Sequence, residues 1–125
     1  MRHWSAAYVG RRYDRQTFNC WTLIRDIYRD HAGIDLTDVQ TFDNATTARE
    51  MLRHAKLWID VETPVEFDVV LMRHRDHAIP THVGIATGRG SVLHTEPVTD
   101  TVCVGLRDFS IRGRILGFRR HPCRS

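Results

Sequence analysis

Between residues 20 and 31 apolar side chains return every three or four positions; beyond residue 66 they return every second one. The first pattern predicts a helix with one buried stripe, the second a set of half-buried strands. In Cys20-Trp-Thr-Leu-Ile-Arg-Asp-Ile-Tyr-Arg-Asp-His, residues Cys20, Ile24, Ile27, Tyr28 and His31 share one face, with Leu23 beside it. Asn19 is placed to cap this helix and Gly33 to stop it. Arg25, Arg29 and His31 lie toward the end where the helix dipole favours cations. Residues 34–43 read as a loop, and Ala45 to about Lys56 as a second, shorter amphipathic helix. Leu57 to Val65 has no clear period, and Pro64 argues against regular structure across it.

The strand-like segments are Phe67-Asp-Val-Val-Leu-Met-Arg, Thr81-His-Val-Gly-Ile-Ala-Thr, Gly90-Ser-Val-Leu-His-Thr, Val98-Thr-Asp-Thr-Val-Cys-Val and Arg114-Ile-Leu-Gly-Phe-Arg-Arg. All are short, rich in β-branched residues and separated by turn residues. Helices first and strands afterwards predict an α+β domain, with N-terminal helices packed on a mostly antiparallel sheet of five or six strands. At 125 residues, with no linker or repeat, the chain reads as one domain over 1–125.

Composition narrows the classes. No run of about 20 apolar residues is present, so no membrane span is expected. The segment from Met1 to Arg12 carries early positive charge without an apolar stretch, and no secretory signal is expected. The net charge is +3 and Lys56 is the only lysine. The arginine clusters favour anionic partners, but acidic residues are interspersed and no basic helix stands out, which disfavours nucleic acid. Cys20, Cys103 and Cys123 form no CxxC pair, which argues against a disulfide framework or a thiolate zinc site. His74 and His77, near His82, fall in a polar loop ending at Pro80 and read as solvated. No metal and no cofactor is therefore expected.

The candidate chemistry begins at Cys20. A cysteine in the first turn of a helix meets the positive end of the dipole and unpaired N–H groups, which favour the thiolate. The same N–H groups can receive the oxyanion of a tetrahedral intermediate. A thiolate of this kind needs a base from elsewhere in the fold. His82 lies inside a strand-like segment, and His94 ends the next one, twelve residues on. Across a hairpin the two imidazoles fall on the same face, where one can fix the tautomer of the other.

These elements resemble the NlpC/p60 family of papain-like cysteine peptidases, which cut bacterial cell-wall peptides. Tyr8-Val-Gly followed by Phe18-Asn-Cys20-Trp-Thr-Leu is similar to the family's Tyr-x-x-Gly and Asp-Cys-x-x-Leu elements. Phe67-Asp-Val-Val resembles its Gly-Asp-Val-Val strand. Thr81-His82-Val-Gly-Ile resembles the strand bearing the base, Val92-Leu-His94 supplies the third residue, and Ile115-Leu-Gly-Phe-Arg-Arg resembles the last strand. The resemblance implies Cys20 as nucleophile, His82 as general base and acid, and His94 as the orienting residue. It implies a substrate-side role for Tyr8, with its hydroxyl by the nucleophile, and for Asn19 and Trp21. The implied reaction is hydrolysis of a stem-peptide amide of peptidoglycan, typically between D-glutamate and the diamino acid, through an acyl-enzyme.

Three positions depart from the family pattern. Asn19 replaces an aspartate, Trp21-Thr22 stands where many secreted members have Ser-Gly, and Phe67 replaces a glycine. Trp21, the short chain and the missing signal resemble members encoded in phage tail gene clusters. The expectation is then a tail-tip enzyme, made in the host cytoplasm, with tail-tip or hub proteins as partners and a place in the virion. The alternatives are an amidase of the CHAP or injected-toxin type and a structural tail protein that keeps the fold.

Overall fold

The computed structural model describes residues 2–36, 53, 57–73 and 80–124. The helix α1 (Cys20–Ile27) starts at the capping residue expected: Asn19 Oδ1 accepts the N–H groups of Trp21 at 3.1 Å and Thr22 at 3.0 Å. It continues through a wider, π-type turn over Tyr28–Ala32 and stops at Gly33, whose φ of 67° is the left-handed conformation glycine adopts without strain. Leu23, Ile24, Ile27 and Tyr28 are fully buried. Each of the three aliphatic side chains contributes about 1.5–3 kcal/mol by leaving water. The second helix expected over 45–56 lies outside the described residues, Arg53 excepted. Among the described residues α1 is the one α-helix with full bounds, and Arg53 and Leu57 are also helical, at and just beyond the stretch where the second helix is expected.

The sheet has six antiparallel strands: β1 (Ile59–Val61), β2 (Val69–Arg73), β3 (Pro80–Ala86), β4 (Ser91–Glu96), β5 (Asp100–Gly105) and β6 (Ile115–Arg120). Their order is β1-β6-β2-β3-β4-β5. Five were expected within a residue or two. The added one, β1, falls in the stretch without a period and is defined by pairing Asp60 with Arg119 on β6, reinforced by an ion pair of 2.9 Å.

Period-two alternation gives the sheet two covered faces. Val69, Leu71, Val83, Ile85 and Leu93 pack against α1 together with Tyr8, Trp21 and Phe67. Val70, Met72, Ala86 and Val92 point the other way, onto Ile111. Phe67 precedes β2 at φ 72°, which accounts for glycine being the family residue there. Its ring offsets the backbone strain by stacking on Trp4 at 5.0 Å, with the Arg124 guanidinium 4.7 Å above it. Asp68 is buried and pairs with Arg120 through two hydrogen bonds of 3.0 and 2.9 Å, tying β2 to the edge of β6.

Candidate active site

His82 on β3 and His94 on β4 are both buried, and His82 Nε2 lies 2.9 Å from His94 Nδ1. The β3–β4 ladder pairs Ile85 with Leu93 and Ala86 with Val92. Beyond these pairs His82 and His94 stay on one face, and their rings meet edge to face at 5.1 Å and 74°. Gly84 is what permits this. A Cβ there would stand 2.6 Å from Val92 Cγ2 and 3.2 Å from His94 Cβ.

Beneath the histidines lies an ion pair. Arg114 Nη1 donates to Glu96 Oε1 at 3.1 Å and Nη2 to Oε2 at 2.8 Å, with both residues buried. Arg114 Nε donates to the Arg73 carbonyl at 2.9 Å, which anchors the guanidinium to the end of β2. Glu96 Oε2 is 4.0 Å from His82 Nε2. Burial pushes the Glu96 carboxyl up, but the Arg114 hydrogen bonds, helped by the His82, Arg114 and His94 charges, outweigh it and hold it at about 2. Burial lowers His94 below the ordinary imidazole value; Glu96 opposes this and Arg114 adds to it.

Cys20 is half-buried at the start of α1, and the Val83 N–H, one residue from His82, acts on its thiol. The sulfur thus meets the edge of the strand that carries the histidine. The pull of the helix dipole toward the thiolate is opposed here by burial. Burial pushes Cys20 up to about 11, against the pull of the Val83, Trp21 and Cys20 N–H groups, and the Glu96 charge adds to the rise. The oxyanion donors also narrow. Asn19 consumes the Trp21 and Thr22 N–H groups, so the Cys20 N–H is the first-turn donor that the cap does not use.

The three expected substrate-side residues are placed otherwise. The Tyr8 hydroxyl donates to Asp30 Oδ2 at 2.7 Å, with the Arg11 guanidinium over its ring at 4.4 Å. Tyr13 is raised by burial first and then by the Cys20 charge. Tyr13 was not singled out from the sequence; its N–H is fixed by Asp100 Oδ1 at 3.0 Å. Asn19 spends its amide on the cap and on the Arg15 carbonyl at 3.0 Å. Trp21 is buried in the helix-side core, 6.4 Å from the Trp58 ring. His74 and His77 lie outside the described residues. Cys103 and Cys123 are exposed, and Cys103 contacts Ser91 Oγ at 3.6 Å.

His82, His94 and Glu96 also bring three metal-ligating atoms within 4.8 Å of one another. A tetrahedral ion about 2.0–2.1 Å from each nitrogen would hold them roughly 3.3 Å apart. The 2.9 Å separation is instead that of a direct hydrogen bond, and both Glu96 oxygens are occupied by Arg114. The cluster fits a proton-holding network better than a metal.

A cysteine at a helix start and a buried histidine pair on an antiparallel sheet are set together on an α+β scaffold. The model of the NlpC/P60 family matches residues 7–114, and the chain belongs to that family. Among solved structures it is similar to an NlpC/P60 family protein from Bacillus cereus ATCC 10987 (18% identity, TM-score 0.58, 83% of this chain and 32% of that one). It is also similar to an NLP/P60 family protein, described as similar to lipoprotein, from Staphylococcus aureus subsp. aureus Mu50 (20%, 0.60, 93% and 38%). A third is the NlpC/p60 domain of the peptidoglycan hydrolase SagA (19%, 0.58, 93% and 91%). At these identities the likeness concerns the fold, and the chain spans about a third of the length of the first two. No curated protein matches the chain.

Proposed function

We propose that the chain is a cysteine endopeptidase of the bacterial cell wall, hydrolysing stem-peptide amides of peptidoglycan with Cys20 as nucleophile, His82 as base and His94 as its orienting partner. The observation that carries this reading is the buried 2.9 Å His82–His94 contact, one residue from Val83, whose N–H acts on the Cys20 thiol. Since His82 Nε2 is engaged with His94, Nδ1 is the nitrogen that takes the thiol proton. The sulfur then attacks the amide carbonyl, and the Cys20 N–H receives the developing oxyanion. The His82 imidazolium returns the proton to the leaving amine, and water releases the acyl group by the same route. Membership of the NlpC/P60 family and the likeness to the domain of a peptidoglycan hydrolase support the substrate class.

The finer setting, a phage tail tip that opens the wall as DNA enters, rests on the Asn19-Cys20-Trp21 resemblance to tail-encoded members. It places the protein in the virion, beside tail-tip or hub proteins. The hydrolase reading is tested by counting amines newly released from purified peptidoglycan, with mass analysis of the fragments to identify the bond. Cys20→Ala abolishes release while circular dichroism stays unchanged; equal release by that variant refutes the reading. Peptide mapping of purified tails tests the placement, which fails if the chain is absent from particles.

A further inference from the structure

Glu96 and Arg114 are a buried charged pair that the Cys20–His82–His94 chemistry does not use. A buried ion pair is by itself weak evidence for stability, because apolar residues of the same volume often serve as well. Its position is what distinguishes it. Glu96 Oε2 is 4.0 Å from His82 Nε2, and Arg114 holds both carboxylate oxygens in place. The guanidinium is itself clamped by the Arg73 carbonyl, so the carboxylate cannot turn away without breaking two hydrogen bonds to a fixed partner.

We infer that Glu96, braced by Arg114, is a positioning residue that keeps the proton on His82 Nε2 and strengthens the hold of His82 on a second proton at Nδ1. The inference rests on the proposed role of His82 as base. With a negative charge on the Nε2 side, the tautomer that directs Nε2–H toward His94 Nδ1 and Glu96 is favoured over its opposite. In that tautomer Nδ1 is the basic nitrogen. When it takes the thiol proton the positive charge develops 4.0 Å from a carboxylate that is already fixed, so little reorganisation is needed. Among the described residues, the titratable and charged groups that face His82 and its partners are His94 and Glu96 from β4 and Arg114 from the turn before β6, and Cys20 of α1 feels the Glu96 charge. Tyr13 feels the Cys20 charge, and β2 opposes His82 with the uncharged Met72.

The test is nuclear magnetic resonance of the ring nitrogens in the 15N-labelled full chain carrying Cys20→Ala, which removes the thiol from the titration. Two-bond 1H–15N spectra report which nitrogen of neutral His82 is protonated, and a pH series gives its midpoint. The parent shows the Nε2–H tautomer. Glu96→Gln lowers the midpoint by about one pH unit and mixes the tautomers, whereas Arg114→Met, which leaves the carboxylate, raises it. Opposite shifts separate charge from mere disruption, since a packing defect moves both variants the same way. If either single variant fails to fold, the uncharged Glu96→Gln/Arg114→Met pair is read in its place, with a smaller fall and mixed tautomers. Shifts of the same sign, or a His82 midpoint and tautomer equal to the parent in every folded variant, overturn the inference. Such a result beside Cys20-dependent hydrolysis defeats the positioning role alone; the expected shifts beside an inert wild-type chain defeat the hydrolase reading alone.

Discussion

The two faces of one sheet have been put to opposite uses. On the α1 side β3 and β4 present Val83, Ile85 and Leu93, which join an apolar and aromatic core. On the other side the hairpin end of the same strands carries Ala86 and Val92, and within a few residues come His82, His94 and Glu96, equally buried, with the histidines hydrogen-bonded to each other and Glu96 to Arg114. The first face is held by area removed from water, which tolerates shape changes and is indifferent to pH. The second is held by paired charges and matched donors, where removing one member leaves another unsatisfied. A single alternation of side chains thus supplies both a rigid support and a protonation network, and a one-residue slip of β3 against β4 would exchange them.

The difference is sharpest when one partner is removed from each face. Arg114→Ala leaves the Glu96 carboxylate buried and unpaired and should lower stability by about 3–5 kcal/mol. Ile24→Ala opens a cavity on the apolar side and should cost about 2–5 kcal/mol. Urea unfolding measures both. Only the Arg114 loss should shrink in acid, because protonating Glu96 relieves the unpaired charge; equal pH dependence in the two variants would remove the contrast. Gly84→Ala should cost about 1–3 kcal/mol by forcing β3 from β4, since its Cβ meets Val92 Cγ2 at 2.6 Å. It should also disturb the His82–His94 contact, visible in the ring-nitrogen spectra.

The pH dependence has a definite sign. Glu96 is held at about 2 in the folded chain against an ordinary value of 4.5. A depressed folded value means the stabilisation is complete above the unfolded value and is lost as pH falls from 4.5 through about 2. The wild-type denaturation midpoint should therefore drop across that window, and the Glu96→Gln/Arg114→Met variant should show a shallower drop. The smallest effect belongs to the cap. Asn19→Ala removes the acceptor of the Trp21 and Thr22 N–H groups and should cost about 1 kcal/mol, read from thermal unfolding. A loss much above that would mean Asn19 supports more than the helix start.

Much of this was legible along the chain because it depends on local period and chain punctuation. Asn19, Gly33 and the apolar stripe of α1 act within a few residues of one another, and the shared face of His82 and His94 follows from alternation. Glu96 lies on that face by the same rule, two residues beyond His94, and could have been read as its extension. Its partner could not: Arg114 reaches it only because β6 crosses back beside β2. The depth of Cys20 was equally hidden, and burial there reversed the direction that the helix dipole alone implies. Tyr8 and Trp21 were assigned by resemblance of sequence position, but their rings turn into the core while Tyr13 feels the Cys20 charge. β1, three residues with an irregular burial pattern, is defined by its partner strand and has no period of its own.

The most direct measurement of the central claim is the intact mass of the chain quenched during turnover of purified muropeptides, followed by peptide mapping. The account predicts a transient acyl adduct on Cys20 alone, absent from Cys20→Ala and formed far more slowly in His82→Ala. An adduct on Cys103 or Cys123, or turnover that continues in Cys20→Ala without any adduct, would contradict it.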